Sequence, residues 1–96
     1  MILEYVSASE KRARLRSALS KGHLLRFPGA FSPLIGMLVE KTGFDGIYIS
    51  GAGISSEAGL PDIGLTNQEE VVRRAHQISG ACTLPSIVDI VTGFGE

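Results

Sequence analysis

Three segments that open on helix-start signals alternate with three short apolar runs, in the order α-β-α-β-α-β. No other feature constrains the fold as strongly. Ser7-Ala8-Ser9-Glu10 reads as a capping box, with Ser7 as N-cap and Glu10 three residues on, and Gly22 stops that helix. Ser32 before Pro33 opens a second helix, because proline at the first helical position has no N–H to leave unsatisfied. Its apolar face is Leu34, Ile35, Leu38 and Val39, and Gly43 ends it. Thr66 with Glu69 opens a third helix that turns Val71, Val72, Ala75 and Ile78 inward and closes at Gly80. Strands are expected over 23–27, 46–50 and 86–91, with a loop over 51–65 before the third helix. Such alternation implies a parallel sheet with right-handed crossovers. The last two strands are apolar on both faces, as buried parallel strands are.

Ninety-six residues allow one small domain, here 1–96, with 1–22 as a leading amphipathic helix that buries Leu15 and Leu19. A complete (β/α)8 barrel needs about 250 residues. The net charge of −1 offers no basic field for nucleic acid or an anionic membrane. Lys11, Arg12, Arg14, Arg16, Lys21 and Arg26 all precede residue 27, and they read as the solvated face of the first helix. No apolar run approaches the ~20 residues of a membrane span, and no signal segment is apparent, so a cytoplasmic location is expected. One cysteine, Cys82, excludes a disulfide scaffold and reads as a small buried apolar residue. His23 and His76 lack the partners that metal or nucleophilic chemistry needs, and Arg73 and Arg74 with Glu69 and Glu70 read as ion pairs on a helix surface.

In parallel α/β folds, ligands bind at the carboxyl ends of the strands. The richest loop there runs Ser50-Gly51-Ala52-Gly53-Ile54-Ser55-Ser56-Glu57-Ala58-Gly59-Leu60-Pro61-Asp62. Glycines directly after a strand let backbone N–H groups approach an anion such as a carboxylate or phosphate. A tight turn needing only positive φ accounts for them equally well. Gly51-x-Gly53-x-x-Ser56 matches a dinucleotide fingerprint only in part, since the third glycine is missing. Gly51 to Ser55 with Gly59-Leu60-Pro61-Asp62 also resembles the NAD-binding signature of sirtuins. There the following Phe-Arg pair is replaced by Ile63-Gly64, which makes a sirtuin-like NAD binder a remote alternative.

Another resemblance covers nearly the whole chain. Its segments are Arg26-Phe27-Pro28-Gly29-Ala30-Phe31-Ser32-Pro33-Leu34, Gly43-Phe44-Asp45-Gly46-Ile47-Tyr48-Ile49-Ser50-Gly51, Gly59-Leu60-Pro61-Asp62-Ile63-Gly64-Leu65-Thr66, and Leu84-Pro85-Ser86-Ile87-Val88-Asp89 through Thr92-Gly93-Phe94-Gly95-Glu96. In that order and spacing they resemble the isocitrate lyase/phosphoenolpyruvate mutase superfamily, and within it the 2-methylisocitrate lyases. The resemblance implies the first three βα units of a (β/α)8 TIM barrel, truncated. It further implies a Mg2+-dependent carbon–carbon lyase of propionate metabolism that cleaves 2-methylisocitrate to pyruvate and succinate, in a tetrameric family. Ser50, Gly51 and Ala52 would hold an α-keto acid carboxylate, Asp62 would lie near metal and substrate, and Tyr48 would stand near the substrate or in the barrel core. Asp89 would hold Mg2+.

Two departures bear on activity. The family's second carboxylate after Asp89 is replaced by Val91, which shares Asp89's strand face by the period of two and offers no oxygen. The family's catalytic cysteine, in a Lys-Cys-Gly-His-type loop, has no counterpart here, and Cys82 lies at the opposite pole. The chain alone is therefore expected to be inactive and, with open sheet edges, to self-associate. The alternatives are a non-catalytic fragment or assembly module and a phosphonopyruvate mutase- or hydrolase-type enzyme.

Overall fold

The computed structural model describes residues 5–57, 59 and 68–90. Its elements are α1 (Ala8–Ser20), β1 (Gly29–Ala30), α2 (Pro33–Thr42), β2 (Ile47–Ile49), α3 (Gly51–Glu57), α4 (Gln68–Gly80) and β3 (Ser86–Val88). The strands are parallel and lie in the order β1-β2-β3. Ala30, Ile49 and Val88 share one register line, and Gly29, Tyr48 and Ile87 share the next.

Those two lines separate the faces of the sheet. Ala30, Ile47 and Ile49 are buried, with Val88 against them, under Val39, Ile54, Val71, Ile78 and Cys82. Burying an isoleucine side chain is worth about 1.5–3 kcal/mol, so Ile47, Ile49 and Ile78 anchor this layer. On the other face, Tyr48 is 36% and Ile87 49% exposed. Among the described residues, helices cover one face only, and the strands follow in chain order. A doubly wound nucleotide-binding sheet reverses strand order and carries helices on both faces, whereas a barrel winds in one direction with its helices outside.

The local signals are realised where they fall on described residues. Ser7 Oγ accepts from the Glu10 N–H at 3.2 Å, and Ser32 Oγ accepts from the Ile35 N–H at 3.3 Å with Pro33 opening α2. Gly22 at φ 72° and Gly43 at φ 94° end α1 and α2 in the left-handed region that glycine tolerates best. The Thr66 cap lies outside the described residues.

Several expectations are corrected. The first strand forms at Gly29–Ala30, not over 23–27. Asp45 Oδ2 accepts the Arg26 N–H at 2.8 Å, so a side chain takes the donor that a strand partner would use. Pro28 has no N–H, and its carbonyl begins the pairing by accepting from the Tyr48 N–H at 2.9 Å. The stretch 51–65 is not all loop, since α3 fills its first half. In α1, Leu19 is 60% exposed and the buried position is Lys11. In α2, Leu34 is 62% exposed and Leu38 is also exposed, while Gly36 and Val39 are buried. A Cβ on Gly36 would stand 3.4 Å from Ile47 Cδ1 and 3.5 Å from Ile78 Cγ2, so α2 makes its closest approach there. Val72 is exposed, and Ile87 shows that β3 is buried on one face only.

Candidate functional site

Beyond the line of Ala30, Ile49 and Val88, the next residue on each strand is Phe31, Ser50 and Asp89. The pairing carries Asp89 along, because its N–H donates to the Ile49 carbonyl at 3.0 Å. By the strand period Asp89 shares the uncovered face with Ile87, and Tyr48 stands beside it on β2. The Tyr48 hydroxyl donates to Asp89 Oδ2 at 3.2 Å. Two residues 41 positions apart thus form a hydroxyl–carboxylate pair at the carboxyl pole of the sheet.

Ser50 starts α3. Its Oγ accepts from the Gly53 N–H at 3.1 Å and its carbonyl from the Ile54 N–H at 3.0 Å. The hydroxyl hydrogen of Ser50 remains available to donate, since the cap uses only the oxygen. The first two N–H groups of α3, on Gly51 and Ala52, have no carbonyl four residues back within the helix. Gly53 has a packing reason to be glycine, because a Cβ there would meet Phe31 Cβ at 3.0 Å. The glycine pattern that suggested a dinucleotide loop is therefore a close approach of α3 to the end of β1. Arg74 joins α4 to α3 through both carboxylate oxygens of Glu57, one of them at 3.1 Å. Glu40 of α2 accepts from the Thr83 N–H at 3.3 Å and fixes the turn that feeds β3.

The described site residues Tyr48, Ser50, Gly51, Ala52 and Asp89 therefore gather at one pole. Asp62 and Val91 lie outside the described residues. Cys82 is buried away from this pole, among the core residues, and burial raises its thiol above the ordinary value. His23 and His76 are exposed. Sequence reasoning missed the Arg74–Glu57 and Glu40–Thr83 links, whose partners lie 17 and 43 residues apart with no local signal between them.

Among the described residues, no three His, Cys, Asp or Glu side chains converge as a metal site. The donor chemistry at this pole is nevertheless that of a hard cation: one carboxylate, with a hydroxyl alongside. Mg2+ typically keeps several waters and takes one or two carboxylates, so Asp89, the carboxylate at this pole among the described residues, suits such an ion.

The family model for phosphoenolpyruvate phosphomutase matches residues 15–96. The chain belongs to the phosphoenolpyruvate mutase/isocitrate lyase superfamily. Relatives in the superfamily include a probable 2-methylisocitrate lyase of Corynebacterium glutamicum, 47% identical over 91 residues, which are 95% of this chain and 30% of that protein. The 2-methylisocitrate lyase of Bacillus subtilis is 39% identical over 89 residues, 93% of this chain and 30% of that protein. Among solved superfamily structures, phosphonopyruvate hydrolase in complex with oxalate and Mg2+ superposes with a TM-score of 0.86 at 35% identity, covering 88% of this chain and 30% of that one. For 2,3-dimethylmalate lyase the values are 0.79 and 29%, covering 96% and 32%. The chain spans about 30% of the length of the curated relatives it matches. The three parallel strands and their helices are thus those of a superfamily TIM barrel, which accounts for the helices on one face and for the uncovered Tyr48 and Ile87 on the other. Among the described residues, no helix is long and apolar enough to cross a membrane.

Proposed function

We propose that this chain supplies the amino-terminal part of a Mg2+-dependent carbon–carbon lyase site that cleaves 2-methylisocitrate to pyruvate and succinate in the propionate metabolism of the cytoplasm. The observation that carries this reading is the Tyr48–Asp89 pair beside the start of α3, at the pole where parallel α/β folds bind ligands. Ser50, Gly51 and Ala52 present a hydroxyl and two backbone N–H groups, a donor set that suits the carboxylate of an α-keto acid. Asp89 is the group that would hold the cation, and the Tyr48 hydroxyl restricts the orientation of its carboxylate. Mg2+ held by Asp89 would supply positive charge for the oxygen on which negative charge develops. By the resemblance, Asp62 would add a carboxylate near metal and substrate, and Val91 stands where the family pattern has a further carboxylate.

By itself the chain turns over no substrate in this reading. Its open sheet edges instead favour self-association, and the tetrameric state that the resemblance implies would belong to the whole barrel. A second reading, as a phosphonopyruvate hydrolase- or mutase-like site, draws on the structural match to that hydrolase.

A chimera tests both readings. In it, these residues replace the matching segment of the Bacillus subtilis 2-methylisocitrate lyase. Pyruvate release from 2-methylisocitrate with Mg2+ is expected to be slow, faster after Val91→Asp, and lost after Asp89→Asn. A folded chimera carrying Val91→Asp that releases no pyruvate overturns the lyase reading, and phosphate release from phosphonopyruvate by the same protein establishes the second.

A further inference from the structure

At the opposite pole, away from Tyr48 and Asp89, a cavity of about 340 Å³ lies between α1, the last turn of α4 and the start of β3. The volume is at the lower end of the range for small-molecule sites. Its wall divides by chemistry. Val6 and Leu15 form an apolar part, Lys11, Arg12 and His76 contribute nitrogen donors, and Cys82 lines the same space. Among the described residues, no Asp or Glu lines it.

Lys11 is only 8% exposed. A buried ammonium is costly unless partnered. Here Nζ donates to the Ser79 carbonyl at 2.6 Å and to Ser79 Oγ at 3.4 Å, at the negative end of α4. An ammonium has three N–H donors, and Ser79 engages two. Arg12 is exposed, with one contact of 3.4 Å to Ser9 Oγ, so most of its guanidinium donors remain for a guest. His76 adds an imidazole N–H on the α4 side of the same wall. The α4 carbonyls offset part of the Lys11 charge, which makes Arg12 the principal anchor for an anion. Among the described residues the charged side chains on the wall itself are cationic, which favours an anionic guest; a described carboxylate outside the wall, Glu40, reaches the Cys82 side electrostatically.

We propose that this cavity binds a small organic anion, with its charged end on Arg12, Lys11 and His76 and its short apolar part on Val6 and Leu15. The site is separate from the lyase reading, and its ligand class follows from a donor set and an apolar wall facing one space of limited volume.

The single cysteine provides the assay. Because Cys82 lines the cavity, butyrate in the site slows modification of its thiol by a disulfide reagent. The slowing is expected to saturate with butyrate and to exceed that of chloride at equal ionic strength. Inorganic phosphate, which has no apolar part, is expected to protect more weakly. Arg12→Ala, a change on the exposed side of α1, is expected to raise the half-protecting butyrate concentration by about tenfold, the usual cost of losing a hydrogen bond to a charged group. Lys41→Ala, on α2, leaves it unchanged. In NMR spectra, the His76 imidazole resonances move on titration and those of His23 do not. Protection no greater than with chloride, equal protection in Arg12→Ala, or a shift of His23 alone overturns the proposal. Equal protection by phosphate overturns the role of the apolar wall.

Discussion

Replacing Gly46 by alanine tests the packing that brings β2, and with it Tyr48, to the site. A Cβ on Gly46 would stand 2.7 Å from Phe27 Cδ2 and nearer still to Cε2 and Cζ. Its φ is not positive, so the obstacle is the ring and not the backbone. Forcing a methyl group into packed surroundings costs about 1–3 kcal/mol. Against this, the smaller conformational freedom of alanine in the unfolded chain returns about 0.4–1 kcal/mol. The net loss is roughly 1–2 kcal/mol. For a domain of this size each kcal/mol moves the Tm by about 4–8 °C, so a fall of roughly 5–15 °C is expected. The chain has no tryptophan, so unfolding is best followed by far-ultraviolet circular dichroism in urea, at several protein concentrations to separate folding from self-association. The same substitution in a Phe27→Leu background should cost about 1 kcal/mol less, a coupling typical of residues in direct contact. If Gly46→Ala costs nothing, or costs the same in both backgrounds, the contact with Phe27 is not what requires glycine.

Two further outcomes are expected. Gly43→Ala, at φ 94°, should destabilise by about 1–2 kcal/mol through left-handed backbone strain, whereas Gly80→Ala, with open space around it and no positive φ, should be neutral or slightly stabilising in the same denaturation assay. Burial holds the Cys82 thiol above its ordinary value, and the stability linked to this group is fully present below the unfolded pKa of about 8.5. It declines as pH rises through the raised folded value. The difference in unfolding free energy between the parent and Cys82→Ala should therefore be constant below that pH and shrink above it; a difference that stays flat through the alkaline range refutes the assignment.

What could be read from the residues alone is what depends on near neighbours in the chain. Ser7 and Ser32 cap their helices through N–H groups three residues on, and Gly22 and Gly43 end them through their own φ angles. The βα order likewise followed from local patterns, and the order of motifs along the chain pointed to the barrel family. The candidate pole was legible too, because a parallel strand delivers its following residue to a known end of the sheet.

Tertiary structure decided what distant partners control. Asp45, 19 residues away, takes the Arg26 N–H and displaces the first strand past Pro28. Gly36 allows α2 to approach Ile47 and Ile78, which turns the helix so that Leu34 and Leu38 face outward. Ser79, 68 residues away, draws Lys11 from an apparently solvated helix face into a buried position. The Tyr48–Asp89 bond exists only because β2 and β3 pair in this register. Caps and turns carry their hydrogen-bond partners within a few residues, so composition and spacing encode them. The face a helix buries, and the partner a charge finds, depend on surfaces that meet only after the chain has folded.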